Sequence, residues 1–122
     1  MNKEDILNKL NKLKLDKNKY IIISGASLVL QDIINSTNDI DLSSDSLYYD
    51  SIDWNTKIGY FKTEIKYYDC FEIGKDFYSE NYISLYGYKV QDLYSVYKLK
   101  LLENKSKDKE TINKLEKILK IN

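Results

Sequence analysis

Two aspartates alternate with aliphatic residues in the stretch Asp39-Ile40-Asp41-Leu42. Alternation of polar and apolar residues is typical of a half-buried strand, and it would point both carboxylates to the same face, about 6–7 Å apart. Carboxylates held this close repel each other unless a positive charge lies between them. A hard divalent cation such as Mg²⁺ (or Mn²⁺) prefers oxygen ligands and usually takes one or two carboxylates together with substrate phosphates. Asp39 and Asp41 are therefore candidate metal ligands.

The residues before the aspartates predict a strand, a tight turn and a helix. Residues 20–23 are a short, mostly β-branched run, which is typical of a buried strand. Four small residues follow at 24–27, and Gly25 allows the backbone to turn sharply and another group to approach closely. A helix that begins near Ala26 would direct its unpaired N–H groups at an anion. This segment therefore predicts a phosphate-binding turn beside the candidate metal ligands.

The order of these features resembles the DNA polymerase beta-type nucleotidyltransferase superfamily, in particular its small bacterial and phage branch, which includes the abortive-infection toxins. The resemblance rests on the Ser24-Gly25 pair and on Asp39 and Asp41 after it. Many members have two glycines at the first position, but a serine can still present its backbone N–H. The resemblance implies nucleotidyl transfer by a metal-ion mechanism. Its implied residues are Asp39 and Asp41 at the metal, and Ser24, Gly25 and Ser27 at the nucleotide.

The superfamily also takes a third carboxylate from a later strand. Residues 57–73 predict two strands, and Asp69 lies on the alternating, otherwise apolar face of the second. An unpaired aspartate would be expensive to bury there, so Asp69 either lies at a sheet edge in water or joins Asp39 and Asp41 as a catalytic metal ligand. The resemblance favours the second position. Glu64 and Glu72, on the opposite face of the strand, are the alternatives.

A lysine-rich element lies near the C-terminus, where helices are predicted over 92–103 and 106–121. It resembles the C-terminal element of these small transferases, which carry a lysine on the first helix and then a Lys-x-Lys-Asp turn. The matching residues are Lys98 (or Lys100, two residues on), Lys105, Lys107 and Asp108. Family members often have an arginine just before this turn, where this chain has Asn104. The resemblance implies that these lysines bind the triphosphate, whereas charge runs usually form a solvated face.

Composition limits the other classes of function. The 122 residues predict one domain, and 19 lysines balance 19 aspartates and glutamates, so no overall basic field would attract nucleic acid. The absence of histidine excludes the usual zinc sites and Ser-His or Cys-His catalysis. A single cysteine, Cys70, cannot form an internal disulfide. Together with the lack of a signal segment or a membrane-spanning run, this predicts a cytoplasmic protein.

The whole pattern predicts an α+β domain. A helix over 1–15, a turn region over 74–81 and a strand over 82–90 complete a single nucleotidyltransferase-like mixed sheet flanked by helices, with two C-terminal helices. Three functions remain open. The first is a minimal nucleotidyltransferase that uses a nucleoside triphosphate and acts on an RNA end, a protein hydroxyl or a small molecule. The second is a non-catalytic binding protein of the same fold, such as a phage-encoded inhibitor or a toxin–antitoxin partner. The third is a structural domain with accidental aspartates.

Overall fold

The computed structural model describes residues 1–59, 62–75 and 81–121, which form an α+β fold. The helices are α1 (Lys3–Lys12), α2 (Ser24–Leu30), α3 (Ser46–Ser51), α4 (Leu93–Glu103) and α5 (Lys109–Leu119). The strands are β1 (Tyr20–Ile23), β2 (Ile40–Ser44), β3 (Asn55–Ile58), β4 (Glu64–Tyr68), β5 (Phe71–Lys75), β6 (Tyr82–Leu85) and β7 (Tyr88–Gln91). None of the helices in this part of the chain has the length and apolar character needed to cross a membrane.

The described strands form one mixed sheet in the order β3-β4-β5-β2-β1-β7-β6. At its centre, β2 is antiparallel to β1 and parallel to β5. On one side β7 runs parallel to β1 and pairs with β6, and on the other side the β3–β4 hairpin continues the sheet beyond β5. The predicted mixed sheet is therefore confirmed, and β2, which carries Asp41, lies between two partner strands.

The apolar composition of the central strands follows from their burial. All four residues of β1 are buried, as expected for a strand that is covered on both faces. Ile22 and Ile40 belong to the same apolar cluster as Ile6 and Leu10 of α1. Full burial of such a side chain stabilises the fold by roughly 1.5–3 kcal/mol. This cluster holds the central strands in position beneath the candidate site.

The two C-terminal helices pack together and against α2. Leu28 of α2 lies in a second apolar cluster with Val96 of α4 and Leu115 of α5. The Tyr97 hydroxyl of α4 donates to Oε2 of Glu116 in α5 at 2.9 Å. The predicted pair of C-terminal helices is thus confirmed, and its packing fixes the turn between the two helices relative to α2.

The strands over 57–73 differ from the prediction. The structure has β3 and then a hairpin of β4 and β5, in which Asp69 and Cys70 form a two-residue turn between the paired residues Tyr68 and Phe71. Asp69 has a left-handed φ of 53°, which aspartate tolerates better than most residues. Because aromatic and aliphatic residues continue across the turn, alternation gives no sign of it. Residues 60 and 61 of the first predicted strand lie outside the described residues.

Residues 82–90 form a hairpin where the alternation predicts a single strand. β6 and β7 pair across a turn at Tyr86 and Gly87, whose φ angles are 54° and 82°. Gly87 has no Cβ and adopts this conformation without strain. Earlier in the chain, β5 extends to Lys75, the second residue of the predicted turn region, and residues 76–80 of that region lie outside the described residues.

Candidate functional site

One cleft brings together the start of α2, the residues before and within β2, strand β5, the β3–β4 hairpin and the α4–α5 turn. Its volume is about 1030 Å³, at the upper end of the range for small-molecule and cofactor sites. The predicted site residues that line it are Ser24, Gly25, Asp39, Asp41, Lys105 and Lys107. The predicted site residues that do not line it are Ser27, Asp69 and Lys98.

Three carboxylates, those of Asp39, Asp41 and Glu72, form what we call the acidic cluster of this cleft. Asp41 in β2 is aligned with Glu72 in the parallel neighbour β5. Asp39 precedes β2, whose start is fixed by a 2.9 Å hydrogen bond from the N–H of Ile40 to the carbonyl oxygen of Cys70. Aligned residues of neighbouring strands share a face of the sheet. Glu72 is therefore the carboxylate that the fold puts next to Asp41.

The electrostatics of the acidic cluster favour its neutralisation. The pKa of the Asp41 carboxyl is raised to about 7, and burial is the largest cause. The negative charges of Glu72, Asp39 and Glu103 contribute to this rise, and the charge of Lys105 opposes it. Since a carboxyl with this pKa is only partly ionised at neutral pH, the cluster would gain stability from an added positive charge.

Lys57 of β3 supplies part of that charge. Its Nζ lies 2.6 Å from Oε2 of Glu72 and 5.2 Å from the centre of the Tyr67 ring. The hydrogen bond to Glu72 is the main cause that raises the pKa of Lys57, and the charges of Glu72 and Asp39 also contribute. Lys57 is therefore the counter-ion of Glu72, and it also lies within electrostatic range of Asp39.

The donor atoms of the acidic cluster, all carboxylate oxygens, suit Mg²⁺ or Mn²⁺. Within residues 1–59, 62–75 and 81–121, however, no three carboxylate, thiol or imidazole side chains are grouped closely enough to hold a metal by themselves. Mg²⁺ is commonly bound by only one or two protein carboxylates, with substrate phosphates and water as the other ligands. The cluster thus fits a metal that arrives with a phosphate ligand better than a permanently held structural metal.

The small residues at the start of α2 make hydrogen bonds and packing contacts with other residues of the chain. Ser24 has a φ of 56°, and its N–H donates to Oε1 of the buried Gln91 at 2.9 Å. This N–H is already used, contrary to the expectation that it is offered to a phosphate. A Cβ at Gly25 would lie 2.8 Å from Oγ1 of Thr37, so the glycine is required for packing. Ser27 is fully buried and donates its hydroxyl to the Ser24 carbonyl oxygen at 2.6 Å.

On α4, the cleft is lined by Lys100 and not by Lys98. Lys98 is exposed, and its Nζ lies 4.8 Å from the centre of the Tyr94 ring. Lys100 is buried, and its Nζ lies 3.3 Å from Oδ1 of Asp108. Residues two apart on a helix do not share a face, so only one of these lysines can reach the cleft. The alternative match, Lys100, is the one that the fold brings to the site.

The α4–α5 turn adds two further lysines to the cleft. Lys105 and Lys107 both line it, and Nζ of Lys105 lies 3.8 Å from Oε1 of Glu103. Asp108 is buried, and its Oδ2 has no hydrogen-bond partner among the described residues. Because the charge of Lys105 lowers the pKa of Asp41, the basic turn and the acidic cluster lie within electrostatic reach of each other.

Asp69 lies in a different place from the one expected. It is exposed in the β4–β5 turn, its Oδ2 lies 2.8 Å from Nζ of Lys9, and it lines a separate groove with Trp54. The structure therefore does not bring Asp69 into the acidic cluster, and Glu72, one of the two alternatives, takes the position beside Asp41. Glu64, the other alternative, also lines the cleft, but its carboxylate accepts a hydrogen bond from the Tyr49 hydroxyl at 3.0 Å.

Sequence reasoning missed three residues that act on the site, namely Lys57, Gln91 and Glu103. Lys57 and its partner Glu72 are 15 residues apart, and Gln91 and its partner Ser24 are 67 residues apart. No local motif marks such residues, because their contacts depend on the register of the sheet. Glu103 ends a helix that was predicted, but its effect on Asp41 depends on how α4 packs.

Compared with known proteins, the chain matches no protein-family model, no curated protein and no solved structure.

Proposed function

We propose that this protein is a small, metal-dependent nucleotidyltransferase that moves a nucleoside monophosphate from a nucleoside triphosphate to an acceptor hydroxyl. The observation that carries the proposal is the combination of opposite charges in one cleft, with the acidic cluster on one side and lysines of α4 and of the α4–α5 turn on the other. Since Lys105 acts on the pKa of Asp41, one ligand can contact both groups. A triphosphate with its Mg²⁺ has the matching charges.

The residues of the cleft have separate tasks in this proposal. Asp39 and Asp41 bind Mg²⁺ or Mn²⁺, and Glu72, which the sequence predicts only as an alternative to Asp69, takes the role of the third carboxylate. When bound, such an ion neutralises charge on the attacking and leaving oxygens. Lys105 and Lys107, together with Lys100 beside them, bind the β- and γ-phosphates as point charges.

The reaction itself asks little covalent chemistry of the protein. The acceptor hydroxyl gives up its proton to water as its oxygen forms a bond to the α-phosphorus. The bond from that phosphorus to the bridging oxygen breaks, and pyrophosphate leaves with the electron pair. Catalysis then consists mainly of positioning and charge neutralisation. Lysines at the pyrophosphate end suit this task, because negative charge accumulates on the leaving group as the bond breaks.

A second candidate function is a non-catalytic binding protein of nucleotidyltransferase-like fold, such as a phage-encoded inhibitor or a toxin–antitoxin partner. The internal ion pairs of the cleft favour this alternative. Lys57 already neutralises Glu72 at 2.6 Å, and Lys100 lies 3.3 Å from Asp108. Ion pairs of this kind hold these groups in place without a ligand.

Label transfer separates the two candidates. The protein is incubated with each nucleoside triphosphate labelled at the α-phosphate, with Mg²⁺ or Mn²⁺, and with total RNA or a cell lysate. We expect wild type and the Asp69→Asn control to label an RNA, a protein or a small molecule, and Asp41→Asn to label nothing. If wild type labels no acceptor with any nucleotide or metal, the enzyme proposal fails and the binding protein takes its place.

A further inference from the structure

Lys57 lies where an external cation would otherwise be needed. Its ammonium is 2.6 Å from Oε2 of Glu72, and Glu72 is aligned with Asp41 in the neighbouring strand. The charge of Asp39 also acts on Lys57, so a single ammonium interacts with two members of the acidic cluster. At Glu72, Lys57 therefore supplies the positive charge that a divalent cation bound to the same carboxylate would supply.

The ion pair between Lys57 and Glu72 lies at the surface, where it can separate. The Lys57 side chain is 44% exposed and that of Glu72 is 29% exposed, so water can replace the ion pair at low cost. Strand β3 is an edge strand whose four residues are all exposed. The Tyr67 ring, whose centre is 5.2 Å from the same Nζ, would still attract the ammonium after the contact with Glu72 is lost. Movement of Lys57 does not require rearrangement of the core.

We propose that Lys57 is a resident cation of the acidic cluster, which an incoming divalent metal displaces from Glu72. The proposal rests on the proposed function, since the metal is the one that the nucleotide would bring. Within the described residues no three carboxylate, thiol or imidazole side chains are grouped closely enough to hold a metal, and one carboxylate of the acidic cluster is already paired with Lys57. Lys57 is thus a positioning residue that keeps the site closed to a metal until the metal outcompetes it.

The direct test is calorimetric titration of the 122-residue chain with Mn²⁺ in the absence of nucleotide. Lys57→Met keeps the aliphatic stem and removes the ammonium, so we expect it to bind Mn²⁺ about tenfold more tightly than wild type, as removal of one positive charge at this distance predicts. The matched control is Lys75→Met, because Lys75 lines the same cleft but pairs with the exposed Asp50 at 3.5 Å. Equal tightening in both variants would reduce the effect to net charge and overturn the proposal, as would undetectable Mn²⁺ binding by Lys57→Met.

A double-mutant cycle isolates the Lys57–Glu72 contact. In a Glu72→Gln background the ammonium has lost its carboxylate partner, so adding Lys57→Met should no longer tighten Mn²⁺ binding by about tenfold. Independent, additive effects of the two substitutions would contradict the displacement of Lys57 from Glu72.

The outcome is distinguishable from failure of the proposed function. If wild type transfers no label but the Lys57 and Glu72 substitutions are coupled in their effect on Mn²⁺ affinity, the Lys57 inference is supported and the proposed enzymatic activity is rejected. If wild type transfers label but the two substitutions show no coupling, the proposed enzymatic activity is supported and the Lys57 inference is rejected. Circular dichroism of each variant without metal confirms that the binding data come from folded protein.

Discussion

The carboxylates of Asp69 and Asp41 both lie next to β5 or its turn, but their negative charges are balanced to different extents. Asp69, in the turn before the strand, is 53% exposed and lies 2.8 Å from Nζ of Lys9, so its charge is balanced locally and in contact with water. Asp41, aligned with Glu72 inside the strand pair, is half-buried, and the negative charges of three neighbouring carboxylates raise its pKa beyond the effect of burial. The first site is complete, whereas the second has more negative charge than its lysines balance.

The comparison shows that residue type and spacing are insufficient to identify a functional carboxylate. Both aspartates occur in strand-like sequence, Asp41 between the aliphatic Ile40 and Leu42, and Asp69 in a stretch with aromatic residues on both sides. What separates them is the sum of charges that the fold brings within a few ångströms. A candidate metal ligand is therefore better recognised by unbalanced repulsion than by its position in a pattern.

The largest expected effect is on catalysis. Asp41→Asn keeps the size of the side chain and removes a metal ligand, so we expect label transfer to fall by more than about 100-fold, the scale on which loss of transition-state charge stabilisation acts. Asp69→Asn should retain transfer close to that of wild type, because Lys9 and water are its partners. Initial rates of label transfer at matched protein concentration provide the measurement. A comparable loss of label transfer in both variants would contradict the distinction between Asp41 and Asp69.

The next effect is on stability, with the opposite sign. The pKa of Asp41 is raised from 3.8 to about 7 in the folded protein, so its ionisation costs folding free energy. Below about pH 4 the carboxyl is protonated in both folded and unfolded states and the cost is absent; it grows as pH rises and is complete above about pH 7. Asp41→Asn removes it, so the free energy of unfolding should exceed that of wild type by on the order of 2–4 kcal/mol at pH 8 and should equal it at pH 4.

Urea unfolding at both pH values, with a chelator present, measures this difference. Asp69→Asn is the control, and it should not become more stable than wild type at pH 8, because Asp69 lies outside the acidic cluster and is paired with Lys9. An Asp41→Asn protein that is less stable than wild type at pH 8 would show that Asp41 is already satisfied, as Asp69 is.

A smaller effect is expected at the turn beside the acidic cluster. In Gly25→Ala the new Cβ would lie 2.8 Å from Oγ1 of Thr37, and this overpacking should lower the free energy of unfolding by about 1–3 kcal/mol. Adding Thr37→Ala removes the obstructing atom and should recover most of the loss. Chemical unfolding of the single and double variants tests this. If Gly25→Ala left the free energy of unfolding unchanged but still abolished label transfer, the glycine would be needed to make room for a ligand instead.

The smallest effect should come from Asp69→Asn itself. An exposed lysine–aspartate pair contributes about 0–1 kcal/mol, so the free energy of unfolding should change by less than about 1 kcal/mol. Thermal unfolding of the variant beside wild type is sufficient. A larger loss would mean that the turn at Asp69, with its φ of 53°, depends on the carboxylate for more than its contact with Lys9.

The parts of the site that could be predicted from sequence are those built by local chain geometry. The run at residues 20–23, the small-residue turn and the alternation of Asp39 and Asp41 lie within one continuous segment, and the structure brings that segment to one cleft. The two C-terminal helices were predicted for the same reason, since their apolar spacing is local.

The remainder depends on the register between distant strands. Alternation extends through Asp69 as if the strand continued, so it does not mark the turn there. As a result, the sequence predicts that Asp69, and not Glu72, faces Asp39 and Asp41. Lys57 reaches Glu72 only because β3, β4 and β5 are consecutive neighbours in the sheet. Gln91 contacts Ser24 from the end of β7. No pattern within one segment encodes such contacts.

The most direct measurement of the central claim is a Mn²⁺ titration in the presence of a non-hydrolysable nucleoside triphosphate, followed by calorimetry. Three proteins are compared: wild type, Asp69→Asn, and the double variant Asp39→Asn, Asp41→Asn. We predict that wild type and Asp69→Asn bind alike, and that the double variant loses at least about tenfold in affinity because both carboxylate charges are absent. Equal binding by wild type and the double variant, or a loss confined to Asp69→Asn, would contradict the account.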